Sequence, residues 1–161
     1  MLKTRACSLL IILLFLFTSC TVKFDGKPNG LSGITIPFGE MNKAFVIEDL
    51  PVMANSYKNG EALALVLRNL SGKTIVFPKN YSPEIFLKQE QTWVKVQNDM
   101  ATYGNEILPT HDAFKPGMEI EATPNIQGLQ KPVNIRIVMI GHNENSDTEL
   151  VGAYIDIPLF P

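Results

Sequence analysis

Hydrophobic and polar residues alternate along most of the chain beyond residue 42. The alternation is longest in two segments near the C-terminus, 133–140 and 151–157, and it is shorter in the segments 45–48, 63–68 and 118–122. Successive side chains of a β-strand point to opposite faces of a sheet, so this period of two predicts strands with one buried and one exposed face. In the first of the long segments the predicted inward face consists of Val133, Ile135, Ile137 and Met139.

Three shorter runs, 73–77, 84–88 and 92–97, complete the set of predicted strands. Turn-forming pairs such as Asn59-Gly60 and Ser71-Gly72 separate the strands, and no segment after the N-terminal region shows a sustained helical period. Seven or eight short antiparallel strands, each with one polar face, are typical of a two-layer sandwich. We therefore predict an all-β fold.

The N-terminus has the pattern of a secretory signal peptide. Lys3 and Arg5 supply positive charge, and an unbroken apolar run of nine residues follows from Leu9 to Phe17. A helix that spans the hydrocarbon core of a bilayer needs about 20 residues, so this run is too short for a transmembrane helix. Residues 1–19 are therefore interpreted as a signal peptide that is removed from the mature protein.

The residues Leu16-Phe17-Thr18-Ser19-Cys20 resemble the lipobox of bacterial lipoproteins, although leucine is more usual than Phe17 three places before the cysteine. The resemblance implies cleavage between Ser19 and Cys20 and attachment of a diacylglycerol anchor to Cys20. Cys20 would be the only cysteine of the processed chain, and acylation accounts for a cysteine that has no disulfide partner. The alternative is an ordinary signal peptide, cut by the general signal peptidase, in which Cys20 has no role.

The composition of the chain excludes several classes of protein. The chain has 161 residues, of which 14 are Lys or Arg, 16 are Asp or Glu and 45% are hydrophobic, so it fits neither a nucleic-acid-binding protein driven by positive charge nor a disordered chain. Two Cys and two His cannot build a disulfide scaffold or a zinc-finger array. Loss of residues 1–19 leaves 12 basic against 16 acidic residues and a net charge of −4. Membrane attachment is therefore expected to come from the anchor and not from a basic face.

The sequence predicts three parts in succession. These are the signal peptide 1–19, the lipidated cysteine with a flexible tether over 20–43, and one domain over 44–161. Gly and Pro are frequent in the tether, and a flexible coil of about 13 residues has an end-to-end distance of about 20 Å. The apolar run Ile34–Phe38 predicts a first edge strand within this region.

A second resemblance lies within the predicted domain. The strand–turn–strand of 65–77, with Asn69-Leu70-Ser71 at its turn, is followed in order by Trp93-Val94-Lys95-Val96 and Phe114-Lys115-Pro116-Gly117. This order resembles bacterial immunoglobulin-like domains, including those of the intracellular proteinase inhibitor type, over residues 62–157. The resemblance implies an immunoglobulin-like antiparallel β-sandwich that lacks the immunoglobulin cysteine pair. Its motifs are common to many sandwiches, so they indicate a fold and no particular function.

Residues that could carry chemistry are few. Glu119 and Glu121 lie two apart on a predicted strand, with α-carbons about 7 Å apart, but any solvated strand face has the same spacing. No motif places a serine nucleophile beside a base, and we expect Trp93 to be at least partly buried. We therefore predict no catalytic residue, no metal site and no cofactor. The side chains that would have to converge on a metal are all predicted in loops: His111, Asp112, His142, Glu144, Asp147 and Glu149.

These patterns together predict a lipid-anchored protein on the extracytoplasmic side of the bacterial cell membrane or outer membrane. We expect it to act as a binding or structural accessory module and not as an enzyme, with the membrane and another envelope protein as partners and no role for nucleic acid. A proteinase-inhibitor-like module is one alternative, because Gln97–Pro116 is the longest region without clear periodicity and an inhibitor needs an exposed, rigid loop. An enzyme of unrecognised type is the other alternative.

Overall fold

Strands make up most of the chain that the structure describes. The structure, a computed structural model, describes residues 36–49, 57–78, 81–99, 107–111 and 117–161. Within these ranges the chain forms eleven β-strands and one 3₁₀ helix, Phe38–Glu40, and none of its helices is long and apolar enough to cross a membrane. The strands are β1 (Phe45–Asp49), β2 (Tyr57–Lys58), β3 (Leu63–Asn69), β4 (Ile75–Val76), β5 (Glu84–Gln89), β6 (Thr92–Asn98), β7 (Ile107–Leu108), β8 (Met118–Ala122), β9 (Pro124–Asn125), β10 (Val133–Asn143) and β11 (Ser146–Phe160).

The strands form two sheets that pack face to face. The smaller sheet has the order β1-β3-β8, and the larger sheet has the order β2-β11-β10-β5-β6-β9. Beyond Glu84, at which β5 begins, strand β4 lies beside β10 in its place, and β7 pairs with β4. Every pair is antiparallel except β2 with β11. The predicted all-β sandwich is confirmed, and it has more strands than predicted because β2, β7 and β9 are each two residues long and too short to show a period.

The core lies between the two sheets. On β10 the side chains of Ile135, Ile137 and Met139 are buried, and Phe45 and Leu65 of the smaller sheet are fully buried opposite the larger one. The predicted inward face of β10 is therefore confirmed at these three positions, while Val133, at the start of the strand, is half-buried. In β8 the alternation is complete, with Met118, Ile120 and Ala122 buried and the two glutamates between them exposed.

The outer face of β10 is buried as well, which the sequence analysis did not predict. Val138 and Ile140 are each 2% exposed, although they point away from the smaller sheet. The segment that precedes β1 covers this face of the sheet. The ring of Phe38 lies edge-on to Phe86, with 6.4 Å between ring centroids, and edge-on to Tyr154 at 5.7 Å.

Met41 and Asn42 fix the covering segment to β11. Met41 is buried beside Gly152, where a Cβ atom would lie 3.1 Å from the Met41 side chain. Asn42 adopts a φ of 62°, a left-handed conformation that asparagine tolerates better than most residues. Its backbone N–H donates to the Gly152 carbonyl at 2.9 Å, and its Oδ1 accepts from the Tyr154 N–H at 2.8 Å. Residues 36–43, which the sequence placed in the tether, therefore pack against the sandwich.

The edge strand predicted for Ile34–Phe38 is wrong in the part that the structure describes. Ile36 and Pro37 precede the sheet without pairing into it, and Phe38 begins the 3₁₀ helix. The side chains of Ile36 and Phe38 instead pack against the outer face of the larger sheet. An apolar run of this length does not distinguish a paired strand from a segment that lies on a sheet.

Arg136 lies on the outer face of β10 at the margin of this cover. Its side chain is only 11% exposed, and its Nε and Nη2 atoms contact the two carboxylate oxygens of Asp156 at 2.6 and 2.7 Å. The guanidinium carbon lies 3.9 Å from the ring centroid of Tyr154, 4.3 Å from that of Trp93 and 4.6 Å from that of Phe38. A planar cation can stack on aromatic faces and bind a carboxylate at its edge, so this charge keeps partners while it is mostly buried. The partial burial predicted for Trp93 is confirmed by the same contacts.

The register of β10 can be tested by paired substitutions. Ile137→Ala removes a fully buried side chain from the core, so we expect it to lower the free energy of unfolding by about 2–5 kcal/mol. Asn134→Ala changes an exposed position of the same strand, and we expect a cost below about 0.5 kcal/mol. Chemical denaturation of both variants measures the two values. A larger cost for Asn134→Ala would contradict the register.

Candidate binding site

Several residues singled out in the sequence lie outside the residues that the structure describes. These are the predicted cleavage residue Ser19, the predicted lipid-attachment residue Cys20, and Asp112. Of the candidate inhibitor region Gln97–Pro116, the described residues are 97–99 and 107–111. Within it, Ile107 and Leu108 form β7, and the Ile107 side chain is 53% exposed.

The two glutamates of β8 do not form a catalytic pair with each other. Glu119 and Glu121 lie on the outer face of the smaller sheet, opposite Val66 and Ala64 of β3, and both are exposed. Their spacing is that of alternate residues on a solvated strand face.

The predicted loop positions of the metal-ligand candidates are wrong for three of them, because the β10–β11 hairpin is longer than its sequence pattern suggested. His142 lies in β10, and Asp147 and Glu149 lie in β11, so only residues 144 and 145 remain in the turn. The His142 Nδ1 atom is 3.0 Å from the Asn143 carbonyl oxygen and 3.7 Å from Asp147 Oδ1.

His111 lies apart from this hairpin, at the end of the β7 segment. It is exposed, and its Nδ1 atom is 3.1 Å from the backbone oxygen of Asn69. Within the described ranges no three His, Cys, Asp or Glu side chains come together in a group that could hold a metal ion.

Asn69 organises the end of the sandwich at which these loops meet. Its side chain is buried, and its Nδ2 atom donates to the carbonyls of Lys73 at 2.9 Å and Pro109 at 2.8 Å. Its Oδ1 atom accepts from both the backbone N–H and the hydroxyl of Ser71, each at 2.8 Å. The Asn-x-Ser sequence thus forms a turn held by its own side chains, which also binds the β7 segment to the β3–β4 loop.

A polar cleft of about 300 Å³ lies at this end of the sandwich. We call it the loop-end cleft. It is formed by the β3–β4 loop, the residues after β7 and the β10–β11 turn, three parts of the chain that are distant in sequence. Its lining consists of Gly72, Lys73, Thr74, Thr110, Asn143, Glu144, Asn145, Ser146 and Glu149.

An ion pair joins two sides of the loop-end cleft. Lys73 Nζ lies 2.9 and 3.1 Å from the two carboxylate oxygens of Glu149, across 76 residues of sequence. The hydrogen bond from Lys73, followed by one from Asn143, lowers the pKa of the Glu149 carboxyl below its usual value of 4.5. Glu149 is therefore ionised at neutral pH. A third link runs from the Glu144 N–H to the Thr74 carbonyl at 3.0 Å.

This lining is suited to recognition by hydrogen bonds. Hydroxyl groups of Thr74, Thr110 and Ser146, together with the amide of Asn145, offer donors and acceptors around the Lys73–Glu149 ion pair. A volume of about 300 Å³ is at the lower end of the range for small-molecule sites, so the cleft fits a compact polar group.

Comparison with known proteins identifies no family. No protein-family model matches the chain, and no curated protein is significantly similar to it in sequence. The class that the structure defines is a β-sandwich with a polar cleft at one end.

The role of Asn69 generates a prediction. Asn69→Ala removes side-chain partners from Ser71, Lys73 and Pro109, and buried backbone groups left without partners are costly. We expect the free energy of unfolding to fall by about 2–3 kcal/mol in chemical denaturation. Asn145→Ala, at an exposed turn position beside the same cleft, is the matched control, with an expected change below about 0.5 kcal/mol. Equal effects of the two variants would show that Asn69 does not hold this end of the sandwich together.

Proposed function

We propose that the protein is a lipid-anchored lipoprotein of the bacterial cell envelope that acts as a binding or structural accessory module and not as an enzyme. The observation that supports a binding role is the loop-end cleft, whose polar side chains come from three loops fixed on a rigid sandwich. Loops held by such a scaffold are where binding residues concentrate in proteins. The expected partner is another protein of the envelope.

The proposed anchor is carried by the sequence around Cys20. Thr18 and Ser19 precede it as small residues, as in the lipobox that the segment resembles. Fifteen residues separate Cys20 from Ile36, the first residue that the structure describes, and a chain of that length reaches at most about 54 Å. The anchor would therefore restrict how far the domain can move from the membrane surface. Two or three acyl chains are needed for stable attachment, and the processing of a lipoprotein supplies them.

Cys20→Ser tests the anchor. We expect the wild-type protein to fractionate with membranes and to incorporate labelled palmitate. The variant should lose the label and move to the soluble fraction or remain uncleaved, because serine provides no thiol for acylation. An unlabelled, soluble wild-type protein would contradict the proposal.

Site-specific cross-linking in the native envelope tests the binding role. A photo-reactive residue at Asn145 beside the loop-end cleft should give one discrete cross-linked product. The same residue at Glu121, on the exposed outer face of the smaller sheet, is the matched control and should give none. Immunoblotting after irradiation measures both, and a product from Glu121 alone would place the contact surface elsewhere.

A further inference from the structure

We propose that the edge of β6 over residues 92–96, to which no described strand is paired, binds an extended segment of a partner protein by strand addition, and that this segment alternates apolar and polar residues with an acidic residue at its centre. The inference deepens the accessory-module function proposed above by naming the class of partner, and it rests on that function.

The first observation is the pairing of β6. Along Thr92–Val96 the strand pairs with β5 on one side in unbroken register. On its other side only Gln97 and Asn98 have strand partners, which are residues of β9. Among the described residues, the backbone groups of 92–96 that point away from β5 therefore have no strand to pair with. Such an edge is a template for an added strand.

The second observation is that this edge lacks the protection seen at the other edges of the sandwich. The edge strand β8 of the smaller sheet carries the exposed charges of Glu119 and Glu121, and β9 is two residues long and begins with Pro124. Proteins use such charges, prolines and short strands to prevent edge pairing. Over residues 92–96 there is no proline, and Val94 is 38% exposed.

Lys95 is the single charged residue within 92–96, and its charge is directed back over the sheet. Its Nζ atom lies 2.8 Å from Glu84 Oε1, and its side chain is only 31% exposed. It therefore protects the edge less than a freely solvated lysine would.

The alternation of β6 determines which side chains an added strand would meet. Val94 and Val96 share the inward face with Leu87 and Ile85 of β5, while Trp93 and Lys95 share the outward face with Lys88 and Phe86. Side chains of neighbouring strands interact most with those directly beside them. Apolar residues of the partner would therefore lie beside the two valines, and polar residues would lie beside Trp93 and Lys95.

Charge selects an acidic residue at the centre of the partner segment. On the outward face Lys95 of β6 is paired with Glu84, and Lys88 of the neighbouring strand β5 lies over Trp93 with its Nζ atom 6.0 Å from the ring centroid, so two ammonium groups face one carboxylate there. The other acidic residues nearby, Glu90 and Asp99, stand just beyond the two ends of β6. An acidic side chain is therefore favoured opposite the middle of the strand and disfavoured at its ends.

A peptide-binding experiment on the full chain, purified in detergent, tests the proposal. The probe is the labelled, capped peptide Ser-Val-Ser-Val-Glu-Val-Ser-Val-Ser, and the control peptide carries Lys in place of the central Glu. Fluorescence anisotropy should show saturable binding of the acidic peptide and about tenfold weaker binding of the basic one, as expected for one charge-assisted contact.

Variants locate the binding to the edge. Val94→Lys should abolish binding of the acidic peptide, because it places a charge in the apolar row. Lys95→Ala and, separately, Lys88→Ala should reduce the difference between the peptides, and Lys131→Ala, at an exposed position after β9, is the matched control with no expected effect. Lys88→Ala keeps the test valid if loss of the Lys95–Glu84 pair unfolds the protein, which thermal melting detects.

Four outcomes would overturn the proposal. They are no saturable binding, equal binding of the two peptides, binding unaffected by Val94→Lys, and self-association of the chain through the same edge. None of them bears on the membrane fractionation of the Cys20→Ser variant or on cross-linking from the loop-end cleft, so failure of this inference and failure of the proposed function are distinguishable.

Discussion

Burial of β10 on both faces is the constraint on which the rest of the structure depends. The smaller sheet covers Ile137 and its inward neighbours, but a two-layer sandwich provides no cover for Val138 and Ile140 on the other side. Apolar side chains of this size cannot stay in water without a large free-energy cost, so a further part of the chain must lie over them. The segment 36–41 covers this face, and Arg136 lies at the solvent-exposed margin of the covered surface, against the ring of Phe38.

The same constraint explains which parts of the fold could be predicted. In β8 one face meets the core and the other meets water, so the alternation of Met118 and Glu119 identified both strand and register. In β10 the continuous apolar run from Ile137 to Ile140 is typical of a strand that is buried on both faces. The alternation of polar and apolar residues does not reveal this second buried face. The element that supplies the second cover could not be found this way, because its apolar residues show no period that identifies a partner.

The candidate site was less predictable than the fold, because proximity in sequence does not place side chains in a common site. His142, Asp147 and Glu149 are close along the chain, yet strand geometry places the His142 imidazole 3.7 Å from Asp147 and leaves Glu149 to pair with Lys73 instead. That pair spans 76 residues, and it forms because β4 pairs with β10 beyond Glu84, at which β5 begins. The residues at 71–74 and 143–146 are recognisable in the sequence as turns. That these two turns meet at one cleft depends on the pairing of β4 with β10, which the sequence pattern does not show.

Asparagine side chains complete the backbone pairing where strands leave the sheets. Asn59 exchanges two hydrogen bonds with Ile126, and Asn98 donates to the Pro83 carbonyl while it accepts from the Thr123 N–H. Asn42 and Asn69 act in the same way at β11 and at the loop-end cleft. A carboxamide has the donor and acceptor of a peptide group, so it can satisfy backbone atoms that would otherwise lose partners. On the side of β6 that faces away from β5, residues 92–96 have no strand partner among the described residues.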